Sequence, residues 1–589
     1  MTTDQKTSRG AAYLIEDVNA EDIFTPEDFT QEHQMIAETT RAFVQGEILP
    51  NQERLEHQDW DLTVKLLQKA GELGLLAADV PEDYEGLGAD KVTSALITEE
   101  ITRGGSFALS HGAHVGIGSL PIVFFGSEEQ KKKYLPKLAA GTLIAAYALT
   151  EPGSGSDALG AKTVAALSAD GKYYVLNGTK QYITNSGFAD IFVVYAKIDG
   201  EKFSAFIVER QYEGVSTGPE EKKMGIKASS TRQLILEDVH VPVENLLGEV
   251  GRGHVIAFNI LNIGRYKLAV GAVGGMKSAI ATSVKYAKER KQFGTAIANF
   301  PLIQKKLAEM NIATYVAESM SYRTTGEIDR QLEHLGKTTD GRVVAQAIEE
   351  YALECSVDKV YASEALDFVV DEGVQIHGGA GFIQEYPIER MYRDSRINRI
   401  FEGTNEVNRM IIPNTLFRKA MKGELPLLQA AQALQQELMG VIQPADEMQP
   451  LSAQFHTLSM MKKIFLFVGG QAVQKYMQSM KDEQEILAWL ADIAIETYAV
   501  ESALLRAKKA LDSGADAANK IDMATIYSEE ALVRVESTAR NILATMEEGD
   551  SLRTQLSILR KLTRFQPVNS VELKRRIAKR VIDAEKYLA

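Results

Sequence analysis

The chain is expected to be mainly α-helical, with one β module set between helical domains. Three observations predict this: helical periodicity over about Phe29–Ala146, a change to strand-like period over roughly 147–250, and a return to helical periodicity from about Gly251. At 589 residues the chain exceeds what one hydrophobic core usually organises. The expected order is an N-terminal arm over 1–24 and an N-terminal helical domain over 25–146. A β-barrel-like middle domain over 147–250, a C-terminal four-helix bundle over 251–420 and an extra helical domain over 426–589 follow.

Each element has its own signal. Glu32–Glu47, Trp60–Leu75 and Val92–Arg103 carry apolar residues every three or four positions, separated by turn-rich stretches such as VPEDYEGLGAD. Lys172–Thr184 contains Asn177-Gly178, a strong short-range hairpin signal. Ile191–Lys197, Phe203–Glu209 and Gln233–Val241 are further β-rich runs. Helices are then expected over Ile256–Arg290, Leu302–Tyr322, Gly341–Ala365 and Asn405–Ala420. Pro426 marks a boundary, since proline opens rather than continues a helix. Beyond it the chain reads as helical, with breaks at Gln443–Pro450, Asp512–Ala518 and Phe565–Asn569.

Composition narrows the function. The net charge of −15 argues against a general nucleic-acid binder, because an acidic surface repels phosphate. That acidity lies ahead of residue 416; the C-terminal third is nearly balanced and holds the basic cluster Lys574, Arg575, Arg576, Lys579 and Arg580. No uninterrupted apolar run approaches the roughly 20 residues that span a bilayer. The first residues resemble neither a signal peptide nor an Arg-rich presequence, and Cys355 is the only cysteine. A cytoplasmic location is the expectation.

Five stretches carry candidate chemistry. Ala148–Gly160 is a glycine-rich loop whose amides could approach an anion or a polar ring edge, though an ordinary polar turn reads the same way. Tyr182 and Thr184, two apart on a strand, offer an aromatic face and a hydroxyl to a planar group, or plain sheet packing. In Glu289–Gly294, Arg290 suits a pyrophosphate or a solvated helix end. Gln375–Asp394 brings paired glycines after a helix, and His377 has no partner at metal-ligand spacing. In Arg399–Asn408, Glu402 stands between Phe401 and Gly403, an apolar setting that raises a carboxyl pKa and suits a general base.

Taken together, these stretches resemble the acyl-CoA dehydrogenase family over about residues 29–420. Thr150, Glu151, Gly155-Ser156-Asp157 and Gly160 fit one family signature. Gln375, Gly378-Gly379, Gly381-Phe382, Glu385, Arg390 and Asp394 fit a second, and Glu402-Gly403-Thr404 the turn bearing the base. The segment after about 426 looks like the extension of the long and very-long-chain members, and LNIGRYKLAVGAVGGM is similar to their central helix.

The resemblance implies FAD-dependent α,β-dehydrogenation of an acyl-CoA to a trans-2-enoyl-CoA in fatty acid β-oxidation. Glu402 matches the glutamate that takes the α-proton. FAD contacts carry over to Tyr147, Leu149, Thr150, Ser156, Tyr182 and Thr184. Arg290, Gln292, Phe293, Gln375, Gly378 and Gly379 match residues that reach the FAD of a neighbouring subunit, which implies a homodimer or homotetramer. Thr404 and Glu406 follow the base, and Ser156, Asn262, Arg265 and Gly403 are candidates at the substrate.

Departures are informative. Tyr182 replaces a common tryptophan, Glu406 a common glutamine, and Gly264 occupies the place from which some relatives supply their base. Small residues at Gly112, Ala113, Gly116 and Gly118 would leave a long acyl cavity open, with close helix packing as the alternative. The implied electron acceptor is an electron-transferring flavoprotein. An oxygen-using acyl-CoA oxidase and a scaffold or assembly flavoprotein are the competing readings. Met460–Met477 is amphipathic enough to touch a membrane or complete a dimer, with simple core packing as an equal alternative, and stable membrane attachment is not expected of so acidic a chain.

Overall fold

The computed structural model describes residues 9–336, 340–438, 440 and 449–589. Helices Gln31–Phe43, Trp60–Glu72 and Lys91–Thr102 open the core, each begun by a side chain that accepts an otherwise unpaired amide. Thr30 accepts from His33, Asp59 from Leu62 and Asp90 from Thr93. Their apolar stripes bury Phe43, Leu66, Leu67, Ala95 and Ile101. The stretch Phe107–Phe125 is apolar and long enough to cross a membrane by composition, but 78% of it is buried inside the protein.

The β module is one eight-stranded sheet. Its strands lie in the order Val215–Thr217, Thr231–Pro242, Tyr173–Thr184, Val164–Leu167, Ile191–Ile198, Lys202–Glu209 and Leu246–Leu247. Ala145–Ala148 is added in parallel to Ile191–Ile198. That strand is buried along almost its whole length, so both its faces are covered and its sequence does not alternate.

The Asn177-Gly178 pair does not turn a hairpin. It lies within strand Tyr173–Thr184, at a register shift between Leu176 and Gly178. Asn177 Nδ2 donates to Asp238 Oδ1 at 3.0 Å, and the Asp238 N–H donates to Asn177 Oδ1 at 2.9 Å. Glycine is required there because a Cβ would meet Thr163 Oγ1 at 2.4 Å. The hairpin turns instead at Asp170-Gly171, between Val164–Leu167 and Tyr173–Thr184.

Helices Gly253–Glu289, Pro301–Leu335, Ala352–His377 and Asn405–Met421 form the bundle. The helix expected over Gly341–Ala365 is two, Gly341–Glu349 and the first half of Ala352–His377. After Pro426 come Leu427–Glu437, Ser452–Tyr476, Gln484–Asp512, Ala518–Met546, Gly549–Leu562 and Ser570–Ala584. Of the expected break at Gln443–Pro450, residues 443–448 lie outside the described residues.

One apolar core runs from the bundle into this annex, joining Val357 and Ile412 to Met461, Ala494 and Leu532. Helix Ser452–Tyr476 commits Met461, Ile464 and Val468 to that core, so its apolar face is turned inward. From residue 9 the N-terminal arm is tied down onto the bundle and annex. Ala11 N–H donates to Glu354 Oε1 at 2.5 Å, and the buried Tyr13 donates its hydroxyl to the Ala494 carbonyl at 3.2 Å. Much of the C-terminal basic cluster is neutralised locally: Lys574 pairs with Glu309 and Glu530, and Arg576 and Arg580 with Asp522.

Candidate active site

Glu402 lies in the turn between the short helical turn Arg396–Arg399 and helix Asn405–Met421, which Thr404 caps by accepting the Val407 N–H. Two successive residues are left-handed there, Glu402 at φ 57° and Gly403 at φ 79°. For a glutamate that conformation is costly, and it persists only where neighbours hold it. Arg265 Nε donates to the Glu402 carbonyl at 3.2 Å, Lys359 Nζ to the Gly403 carbonyl at 2.8 Å, and Asn408 Nδ2 to the same carbonyl at 2.9 Å.

The side chain of Glu402 is aimed at the central helix Gly253–Glu289. A Cβ at Gly264 would come within 2.6 Å of its Oε2, so the missing side chain at 264 makes the room. The residue as a whole is part-exposed, but Oε2 is shielded from solvent and has no hydrogen-bond partner. Burial raises the carboxyl pKa to about 7, against the opposing pull of Arg265 and Lys359. Burial likewise brings Lys359 down to about 7, with Glu402 acting against the shift.

Glu402 stands at the wall of a cavity of about 240 Å³. Its lining includes Gly264, Lys267, Leu268 and Gly271 on the central helix; Thr98 and Thr102; Leu109, Gly112, Ala113 and Gly116; and Arg390, Asp394 and Phe401. A Cβ at Gly112 or Gly116 would meet nothing within 4 Å, so both glycines widen the cavity. Gly118 differs. A Cβ there would press on the Ala113 carbonyl at 2.8 Å and the Ala145 Cβ at 2.8 Å, so this glycine serves close packing. The widened segment is the π-helical turn Ala113–Gly118.

A second group of candidates surrounds strand Tyr173–Thr184. Thr184 lines the cavity, and Tyr182, held at φ 59° by a register shift between Lys180 and Ile183, presents a ring that is 60% exposed. The Gln181 N–H donates to the Thr150 carbonyl at 2.8 Å, stitching this strand to the glycine-rich loop. Tyr147 and Leu149 are buried beside it, the Tyr147 ring packed edge-on against Tyr195 with centroids 5.2 Å apart. Ser156 is exposed, and a Cβ at Gly153 or Gly155 would meet open space. Glu151 organises the loop from inside: it accepts the amides of Lys162 at 2.6 Å and Thr163 at 3.0 Å, and Lys180 Nζ at 2.7 Å.

The structure does not bring every candidate together. Arg290, Gln292 and Phe293 follow the far end of the central helix, and Arg265 to Arg290 spans about 37 Å along its axis at 1.5 Å per residue. Gln375, Gly378 and Gly379 close helix Ala352–His377 and are exposed, as is Phe293 at 95%. Asn262 and Arg265 are buried beneath the Glu402 turn, Arg265 Nη1 donating to Asn262 Oδ1 at 2.8 Å, and neither lines the cavity. Glu406 is exposed on the first turn of helix Asn405–Met421. His377 is a packing residue, stacked on Tyr286 with ring centroids 4.2 Å apart and bonded through Nδ1 to the Gly373 carbonyl.

Sequence reasoning missed Lys359, Asn405 and Asn408, which hold the Glu402 turn, and Lys267, whose ammonium is drawn from the cavity wall to Asp79 Oδ2 at 2.6 Å. Lys180, which is buried, and Asp79, whose side chain is 5% exposed, are likewise polar organisers that no local pattern marks.

A shielded carboxylate with a pKa of about 7, facing a cavity of about 240 Å³ across a glycine within a helix–sheet–helix fold, is able to accept a proton and suits the flavoprotein dehydrogenase class. Family models agree with that class. Those described as the acyl-CoA dehydrogenase N-terminal, middle and C-terminal domains match residues 30–142, 146–239 and 251–417. A further acyl-CoA dehydrogenase C-terminal domain matches residues 460–561, within the annex. The chain belongs to the acyl-CoA dehydrogenase family. It is 59% identical over 583 residues to a probable acyl-CoA dehydrogenase of Bacillus subtilis, covering 98% of each chain. A bovine mitochondrial very long-chain specific acyl-CoA dehydrogenase is 36% identical over 566 residues, 90% of this chain and 82% of that one. The crystal structure of a Bacillus anthracis acyl-CoA dehydrogenase complexed with FAD superposes with a TM-score of 0.97 at 59% identity, covering 99% of this chain and all of that one.

Proposed function

We propose that this chain is an FAD-dependent dehydrogenase that converts long-chain acyl-CoA to trans-2-enoyl-CoA in fatty acid β-oxidation. The observation that carries the reading is Glu402, whose unpartnered and shielded Oε2 faces the cavity with a pKa near 7. An α-proton of a thioester is a poor acid, so the base must be dry, oriented and ionised at working pH. Gly264 gives that carboxylate its space, while Arg265, Lys359 and Asn408 fix the turn that aims it. The open space at Gly112 and Gly116 supports long acyl chains.

The residues present suit a flavin. Tyr182 presents an exposed ring, Thr184 lines the same cavity as Glu402, and the Gln181 N–H ties their strand to Thr150, with Tyr147 and Leu149 buried beside them and Ser156 exposed. These residues, with Thr404 and Glu406 after the base, would hold FAD, which when bound supplies the acceptor for the β-hydrogen. Arg290, Gln292, Phe293, Gln375, Gly378 and Gly379 lie too far along the bundle to serve the same molecule, so they would hold the FAD of a second copy. A homo-oligomer, a dimer or tetramer, follows from that reading. Electrons would pass to an electron-transferring flavoprotein, and the enzyme would work in the cytoplasm.

The test is anaerobic addition of palmitoyl-CoA to the purified protein, followed through its visible spectrum. A yellow protein that bleaches, beside a Glu402→Gln variant that stays yellow and reduces at least about 100-fold more slowly, is the expected result. A colourless protein, or a variant as fast as the parent, would overturn the reading.

A further inference from the structure

The annex reaches the catalytic turn through an unbroken series of charged and polar side chains. Arg409, on helix Asn405–Met421, donates from Nε to Asp492 Oδ1 of annex helix Gln484–Asp512 at 2.7 Å. Its two terminal nitrogens fork onto Glu364 of helix Ala352–His377, Nη1 to Oε1 at 2.8 Å and Nη2 to Oε2 at 3.1 Å. Glu364 Oε1 accepts Asn405 Nδ2 at 3.0 Å, and Asn405 Oδ1 accepts Lys359 Nζ at 2.7 Å. Lys359 then donates to the Gly403 carbonyl at 2.8 Å, directly after Glu402.

We propose that Asp492, an annex residue, is a positioning residue for Glu402, acting through Arg409, Glu364, Asn405 and Lys359. The inference rests on the reading of Glu402 as the base. Its physical logic is geometric. Arg409 is held from two directions, its fork by Glu364 and its Nε by Asp492, so the guanidinium plane has one orientation. Freed from Asp492, it can rotate off Glu364. Glu364 then no longer fixes the Asn405 amide whose oxygen receives Lys359. A turn with two left-handed residues depends on such outside restraints. Asn405 and Lys359 are buried or nearly so, whereas Glu364 and Asp492 are part-exposed, so the outer end is weaker than the inner one. The annex thus completes the support of the active site besides adding core.

The test uses the full-length flavoprotein with Asp492→Ala, Asp492→Glu and Arg409→Lys, each measured by anaerobic flavin reduction with palmitoyl-CoA across pH. Lys574→Met is the control, since it breaks a different ion pair between annex and bundle, Lys574 to Glu309 at 2.7 Å. Asp492→Ala and Arg409→Lys should reduce about tenfold more slowly, with the KM for acyl-CoA unchanged. Their pH midpoint should move upward, because Glu402 faces Arg265, Lys359 and Tyr147, and a displaced Lys359 lowers its pKa less. Asp492→Glu should recover most of the rate, and Lys574→Met should match the parent in rate and midpoint. Parental behaviour in both Asp492→Ala and Arg409→Lys, or equal slowing in the Lys574→Met control, would overturn the proposal. A parent protein that palmitoyl-CoA does not bleach would instead sink the reading of the site itself.

Discussion

Gly264 and Glu402 are so closely opposed that a methyl group on residue 264 would stand 2.6 Å from Glu402 Oε2. The atom it would displace is the far end of a flexible side chain, and alanine is the better helix former by roughly 0.5–1 kcal/mol. Gly264→Ala is therefore expected to leave thermal stability equal or higher. Catalysis should respond oppositely, because a displacement of about 1 Å at a reacting group costs on the order of 100-fold. Flavin reduction by palmitoyl-CoA, compared with the melting temperature of the same variant, checks both halves. A parental reduction rate would show that the space at 264 is not needed by the base.

The pH dependence of flavin reduction should report Glu402. Its carboxyl must be ionised to accept a proton, and burial places its pKa at about 7. The rate should rise with pH through about 7 and then level off, the midpoint standing well above an ordinary glutamate. Lys359→Met removes a nearby positive charge that favours the ionised form. Its midpoint is expected to shift upward, and single-turnover rates from pH 5.5 to 9 measure it. A downward shift would contradict the arrangement of charges described here.

Gly116 offers a direct test of the cavity. A Cβ there meets no protein atom within 4 Å and opens onto the cavity, so Gly116→Leu should fold and fill space otherwise open to an acyl chain. Rates with butyryl-CoA should hold, while those with palmitoyl-CoA should fall at least about tenfold, the scale on which apolar pockets discriminate by size. Equal loss on both substrates would place the acyl chain elsewhere.

These positions differ in how plainly the sequence shows them. Glu402 is legible because its setting is local: apolar neighbours before it, glycine after it and a helix cap at Thr404. The order of helical, β and helical regions is legible because periodicity is local too. Lys359 and Asn405 are not, since they are 46 positions apart and their bond at 2.7 Å exists only once two helices pack. Asn177-Gly178 misleads for the same reason. Its composition suits a turn, but Thr163, just before strand Val164–Leu167, and Asp238 on strand Thr231–Pro242 convert it into a bulge. Gly112, Gly116 and Gly118 look alike in sequence, and only their neighbours separate a cavity wall from close packing.

Away from the active site, Glu354 makes a prediction about stability. It is buried in helix Ala352–His377 where the N-terminal arm docks, accepting the Ala11 N–H at 2.5 Å. Burial first, and the charge of Glu327 second, raise its pKa from 4.5 to about 7. The folded protein therefore holds a proton that the unfolded chain has released between about pH 4.5 and 7. Stability tied to this group is complete below 4.5, declines as pH rises through that window, and is lost above about 7. The total is about 3 kcal/mol, at 1.36 kcal/mol per pKa unit. Glutamine cannot ionise and keeps an oxygen for the Ala11 amide. Glu354→Gln should thus match the parent near pH 4.5 and melt at a higher temperature than the parent at pH 8. Calorimetry of both proteins across that range decides it: an unchanged difference in melting temperature at every pH would show that Glu354 is ionised in the fold, and that the arm is held by a charge rather than by a neutral acid.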